Sequence, residues 1–124
     1  MPNEAINDPK VFFEELGGLH DARIEKFSLD FKKKLLWVSI DDLNSNFLDL
    51  PEYRGFRPAD IYFVGVKVTD IDTQVFRDVF SIYDIKLAND DGGYQVKIEC
   101  FPGGYFEFWC NAIEVDQGDI RLDR

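Results

Sequence analysis

The sequence predicts a mainly β domain of α+β type: an antiparallel β-sandwich, or one strongly curved sheet. About six strands are expected, with one short N-terminal helix packed on them. Three observations carry this. Tyr94 to Val115 reads YQVKIECFPGGYFEFWCNAIEV, in which apolar and polar residues alternate on both sides of Pro102-Gly103-Gly104, the pattern of a half-buried hairpin. Similar period-two runs recur, separated by short Gly- or Lys-rich turns and with no strand–helix–strand alternation, which favours antiparallel pairing. Finally, hydrophobic residues make up 45% of 124 residues and twelve of them are Phe, enough for one aromatic core in one domain spanning 1–124.

Taken in order, Asp8-Pro9-Lys10-Val11-Phe12-Phe13-Glu14-Glu15-Leu16-Gly17 has the marks of a short helix. Asp8 suits the N-cap, Pro9 the first helical position and Gly17 the end. Val11, Phe12 and Leu16 are expected on its buried face. The first strand is ARIEKFSLDF, where Ala22 and Ile24 keep one phase and Phe27, Leu29 and Phe31 the other; the switch near Glu25-Lys26 predicts a β-bulge. Lys32-Lys33-Lys34 turns into LLWVSIDDL, with Leu36, Val38 and Ile40 opposite Trp37 and Ser39.

Residues 43–59 break the rhythm, and so long a loop in a small domain either carries function or covers an end of the core with Phe47, Leu50 and Phe56. One long strand, IYFVGVKVTDI, follows, in which Gly65 marks a bend or a close approach by another backbone. DIDTQVFRD is a polar connection and VFSIYDIKLA the next strand. Asn89-Asp90-Asp91-Gly92-Gly93 is a strong hairpin turn signal. Ile120 and Leu122 leave a last short edge strand, or a frayed tail, open.

Formal net charge is −10 and the pI is near 4.4. Phosphate backbones and anionic membranes are repelled by such a chain, while a basic protein is attracted. No apolar run reaches the ~20 residues that cross a bilayer, and MPNEAINDPK has no signal-peptide character, so a cytoplasmic location is expected. Cys100 and Cys110 lie on opposite hairpin arms. If Phe101 faces Tyr105, then Cys110 lies roughly 13 Å beyond the residue facing Cys100, too far for a disulfide. Two buried free thiols are expected, and no cofactor.

His20-Asp21 is the one pair that invites acid–base chemistry. On an extended chain, neighbours point to opposite sides, so no hydrogen bond between them is expected. The simpler expectation has Asp21 securing a turn and His20 packed beside the helix with a backbone partner. Phosphate-binding, nucleophile-elbow and metalloprotease motifs are missing from the sequence, and two cysteines with one histidine make a zinc site implausible. No catalytic residues are assigned. Tyr53-Arg54-Gly55-Phe56-Arg57 interleaves basic and aromatic residues. Trp37 and Trp109 lie on wet strand faces, either open to solvent or under the helix and long loop. If open, they form a binding patch with Tyr53, Arg54, Phe56 and the acids Asp41, Asp42 and Asp49.

The order LHDA plus an amphipathic strand, then IYFVGVKVTDI, FSIYDIKL and a Gly-closed hairpin ending FEFWCNAIEV resembles small bacterial immunity proteins of polymorphic-toxin systems, the group catalogued as immunity protein 50. The resemblance spans about Leu19 to Val115 and rests on short core patterns. The N-terminal helix and the 43–59 segment depart from it. It implies a non-enzymatic cytoplasmic protein that binds and neutralises a cognate toxin, which the charge would favour being basic. The alternatives from the residues are a small-ligand-binding β domain and a hydrolase using His20.

Overall fold

The computed structural model describes residues 4–72 and 81–120. Among them are eight strands of six or more residues, a two-residue strand and one α-helix. The strands are β1 (Glu4–Ala5), β2 (Ile24–Asp30), β3 (Leu35–Ile40), β4 (Ala59–Val64), β5 (Lys67–Asp72), β6 (Ser81–Asp90), β7 (Gly93–Phe101), β8 (Tyr105–Cys110) and β9 (Ala112–Gln117), and the helix α1 is Pro9–Glu15. A five-stranded sheet runs β1-β9-β4-β3-β2 and a four-stranded sheet β5-β8-β7-β6. Neighbouring strands in both sheets pair antiparallel. The inner faces meet in one aromatic core: Phe27 stacks on Phe106 at 4.3 Å between centroids, and Phe63 meets Phe108 edge-on at 4.8 Å. The architecture is thus mainly β and two-layered.

The strand number exceeds the expected six because two long runs each serve both sheets. IYFVGVKVTDI divides at Gly65 into β4 and β5, and the second hairpin arm divides at Asn111 into β8 and β9. The two breaks lie side by side, since Asn111 N donates to Val64 O at 2.8 Å. Gly65 has φ +71°, and a Cβ there would come within 2.4 Å of the Asn111 side chain. A two-stranded ribbon therefore folds over at one place, and glycine supplies both the left-handed backbone and the room. A second link joins the residues just before β2 to β6: Asp21 N donates to Ile82 O and Ile82 N to Ala22 O.

Several local expectations hold. Asp8 caps α1, its Oδ1 accepting from Val11 N at 3.2 Å. The register of β2 on β3 slips between Ile24 and Lys26, which is the bulge expected there. Asp91 and Gly92 close the β6–β7 hairpin with φ of 48° and 80°, as a two-residue turn between right-twisted strands requires.

Other details differ. The buried helix residues are Pro9 and Phe13, with Phe12 and Leu16 partly covered, while Val11 is exposed. Pro9/Phe13 and Phe12/Leu16 are each four residues apart and share a stripe; α1 turns that stripe towards β6, the edge strand of the four-stranded sheet. Phe31 is 83% exposed because β2 ends at Asp30, before its phase can bury it. In the 43–59 loop Phe47 and Phe56 are half-buried but Leu50 is exposed. Within β7–β8 the register pairs Ile98 with Phe106 and Tyr94 with Cys110, two residues from the expected alignment, because Cys100 N bonds Gly104 O across the turn at 3.0 Å. Residues 118–120 form no strand and Ile120 is exposed; β1 borders β9 instead. Asp70–Asp72 belong to β5. The rest of the expected connection, Val79-Phe80 and Leu122 lie outside the described residues.

Candidate functional site

The long loop and the His20 corner meet at one end of the molecule. A 3-10 turn at Ser45–Phe47 packs on another at Gly17–Leu19, and Ser45 Oγ donates to His20 O at 2.8 Å. Asp42 organises the loop from inside. It is 0% exposed, its Oδ1 accepts from Asn44 N at 2.8 Å and Arg57 N at 3.0 Å, and its Oδ2 accepts from Tyr53 Oη at 2.7 Å. A buried carboxylate requires such donors. Asp42 is therefore corrected from a partner-facing acid to an internal clamp, and Tyr53 is its ligand through the hydroxyl. Asp41 is likewise engaged, accepting from Arg23 N at 2.8 Å. Of the proposed loop contacts, Asp49 and Arg54 are exposed and Phe56 is half-buried.

Arg54 borders a cleft of about 370 Å³ between the end of α1 and the loop, with Glu15, Leu16, Asn44, Phe47 and Glu52. Arg57 lines an adjoining hollow of about 140 Å³. Its Nη1 donates to Gln117 Oε1 at 2.6 Å, and its buried Nε has no acceptor among the described residues. Glu15 borders both cavities, and Glu52 borders the larger one with Arg54.

His20 donates from Nδ1 to Tyr83 O at 2.9 Å, and its ring meets the Tyr83 ring edge-on at 5.5 Å. The expected backbone partner is present. Contrary to expectation, Nε2 also lies 3.5 Å from Asp21 Oδ1. Asp21 has φ +70°, so the chain is not extended and the two side chains turn to one side. Their side chains are 42% and 71% exposed, in a solvent-accessible corner where an ion pair adds little.

The two tryptophans do not form one patch. Trp37 lies on the outer face of the five-stranded sheet, stacked at 5.7 Å on Tyr62, with Lys26 Nζ 3.9 Å from its ring centre. Its buried Nε1 has no acceptor among the described residues, and a buried donor left unpaired costs roughly 1–3 kcal/mol. Trp109 lies on the outer face of the four-stranded sheet, over Gly93, and donates from Nε1 to Asp90 O at 2.9 Å. The helix α1 packs chiefly against β6, which carries neither tryptophan.

On that second outer face Lys86 pairs with Glu99 at 2.5 Å, and the bond raises the lysine's pKa above its ordinary value. Tyr105 donates to Asp70 Oδ2 at 2.5 Å, and this bond raises the phenol's pKa. Cys100 and Cys110 are buried free thiols, both pushed up to about 12 by burial. Among the described residues no group of three or more His, Cys, Asp or Glu converges as metal ligands, and no helix is long and apolar enough to cross a membrane.

Sequence reasoning passed over the carboxylates beside Trp37. Antiparallel register builds two rows across the outer face, Lys26-Ser39-Asp60-Asp116 and Ser28-Trp37-Tyr62-Glu114. Asp60 and Asp116 lie just outside the strands expected from sequence, which begin at Ile61 and end at Val115, and cross-strand alignment is not written in any one strand. Compared with known proteins, the chain matches no protein-family model and no curated protein.

Proposed function

We propose that this protein is a non-enzymatic interaction domain of immunity type, which binds and neutralises a basic partner toxin in the cytoplasm. The observation that carries the reading is the net charge of −10 on a small two-sheet body whose inner faces pack on each other in one hydrophobic core. Complementary charge speeds encounter with a cationic partner and fixes its orientation. The test is co-expression with basic products of genes neighbouring its own, scored by rescue from toxicity and by co-purification. Rescue with a stoichiometric complex supports the reading. Toxicity undiminished by any of them, with no complex, removes it.

A second reading, small-ligand binding, draws on the α1–loop cleft with Arg54 and the unpartnered Arg57 Nε. An apolar ligand that carries a hydrogen-bond acceptor for Arg54, seated between Leu16 and Phe47, is the chemistry that this lining favours. Saturable stabilisation of the protein by short-chain carboxylic acids, abolished in Arg54→Ala, would support it.

A further inference from the structure

We infer that the outer face of the five-stranded sheet, centred on Trp37 and Tyr62, is the surface that receives an arginine-bearing segment of a partner protein. The inference rests on the interaction-domain reading and deepens it by naming the face. Trp37 and Tyr62 are cross-strand partners, and their rings lie 5.7 Å apart, inclined by 21°. Lys26 places its ammonium 3.9 Å from the indole centre, so the platform already holds a cation of the chain's own. The partner's guanidinium would use the same attraction, since planar arginine stacks on aromatic rings better than lysine does.

Acids frame the platform. Asp60 and Asp116 are cross-strand partners in the neighbouring row, and Glu114 stands opposite Tyr62 in the same row. Rows two residues apart are separated by about 7 Å, within reach of one arginine side chain. Asp60, Asp116, Glu25 and Lys26 also border a cleft of about 490 Å³ at this end of the face. Three carboxylates to one ammonium make the cleft attractive to cations and unattractive to phosphate. The helix α1 and the 3-10 turn Gly17–Leu19 pack against β6 of the other sheet.

The experiment uses the whole chain, ¹⁵N-labelled, titrated with capped hexa-arginine and followed by its two indole N–H resonances. The expected result is a saturable shift of the Trp37 resonance with the Trp109 resonance stationary. Glu114→Gln/Asp116→Asn should weaken binding at least tenfold. Glu99→Gln/Glu107→Gln removes equal charge from the opposite face and should change it less than twofold. A hexa-citrulline peptide, isosteric but neutral, should not shift either signal. Movement of Trp109 alone, or equal weakening by both double variants, overturns this choice of face and leaves the basic-partner reading standing. Equal binding of hexa-citrulline overturns the cation chemistry. Absence of any saturable shift at low salt overturns the face, whereas toxin rescue and complex formation test the broader reading separately.

Discussion

Removing the Asp42 carboxylate should be among the most damaging single changes to the loop. In Asp42→Ala, two backbone N–H groups, of Asn44 and Arg57, and the Tyr53 hydroxyl lose their acceptor. The position is fully buried, so water does not readily replace it. Each hydrogen bond to a charged group contributes about 1.5–3 kcal/mol, and a stranded buried donor costs about 1–3 kcal/mol. The three share one carboxylate and do not add fully, which places the loss at about 3–5 kcal/mol. For a domain of this size that is a fall in Tm of about 10–20 °C. Asp42→Asn keeps a carbonyl oxygen for the two backbone donors and loses only the acceptor facing Tyr53, so it should cost about 1–2 kcal/mol. Tyr53→Phe should cost about as much, and the double variant little more than either alone, since both remove the same bond. Urea unfolding followed by circular dichroism measures all four proteins. If Asp42→Ala loses less than about 1 kcal/mol, or the two single changes add in full, the clamp described here is wrong.

Two glycines with positive φ should respond differently to alanine. At Gly92 nothing lies within 4 Å of an added Cβ, so only the left-handed backbone opposes the change, at about 1–2 kcal/mol; at Gly65 the overlap with Asn111 adds about 1–3 kcal/mol, and thermal melts that rank Gly92→Ala as the worse would contradict the fold-over. Phe106→Ala empties the centre of the core against Phe27 and should cost about 3–5 kcal/mol by urea titration. The two thiols, raised by burial from 9.0 to about 12, stay protonated in the folded chain after the unfolded chain has released them. Stability present below about pH 9 should therefore fall as pH rises towards 12, and a Cys110→Ala protein should show a shallower fall in urea midpoint between these values. Iodoacetamide at pH 8 should leave both thiols unmodified until urea is added.

Much of the secondary structure was legible because its causes are local. Asp8-Pro9 starts a helix and Asp91-Gly92 turns a hairpin through their own backbone preferences. The phase change at Glu25-Lys26 betrays a bulge within a single strand. The candidate site was far less legible. Trp37 and Trp109 look alike in sequence, each on a wet strand face, yet they lie on outer faces of different sheets. Asp41, Asp42 and Asp49 likewise look alike as loop acids; one clamps β2, one is buried and one is exposed. Their donors are the Arg23, Asn44 and Arg57 backbones and the Tyr53 hydroxyl, two to eighteen residues away, and nothing in the carboxylates themselves announces which donors will arrive.

By itself the sequence determined which residues face the core in β3, β7 and β8, where the chain turns, and that the surface is acidic. These follow from side-chain period, turn chemistry and composition, each readable within a few residues. Only the tertiary structure decided that the runs around Gly65 and Asn111 each serve two sheets, that α1 buries Phe13 against β6, and that His20 and Asp21 share one side of the chain. Those outcomes depend on hydrogen bonds and packing between segments tens of residues apart, whose joint free energy no single stretch of chain contains.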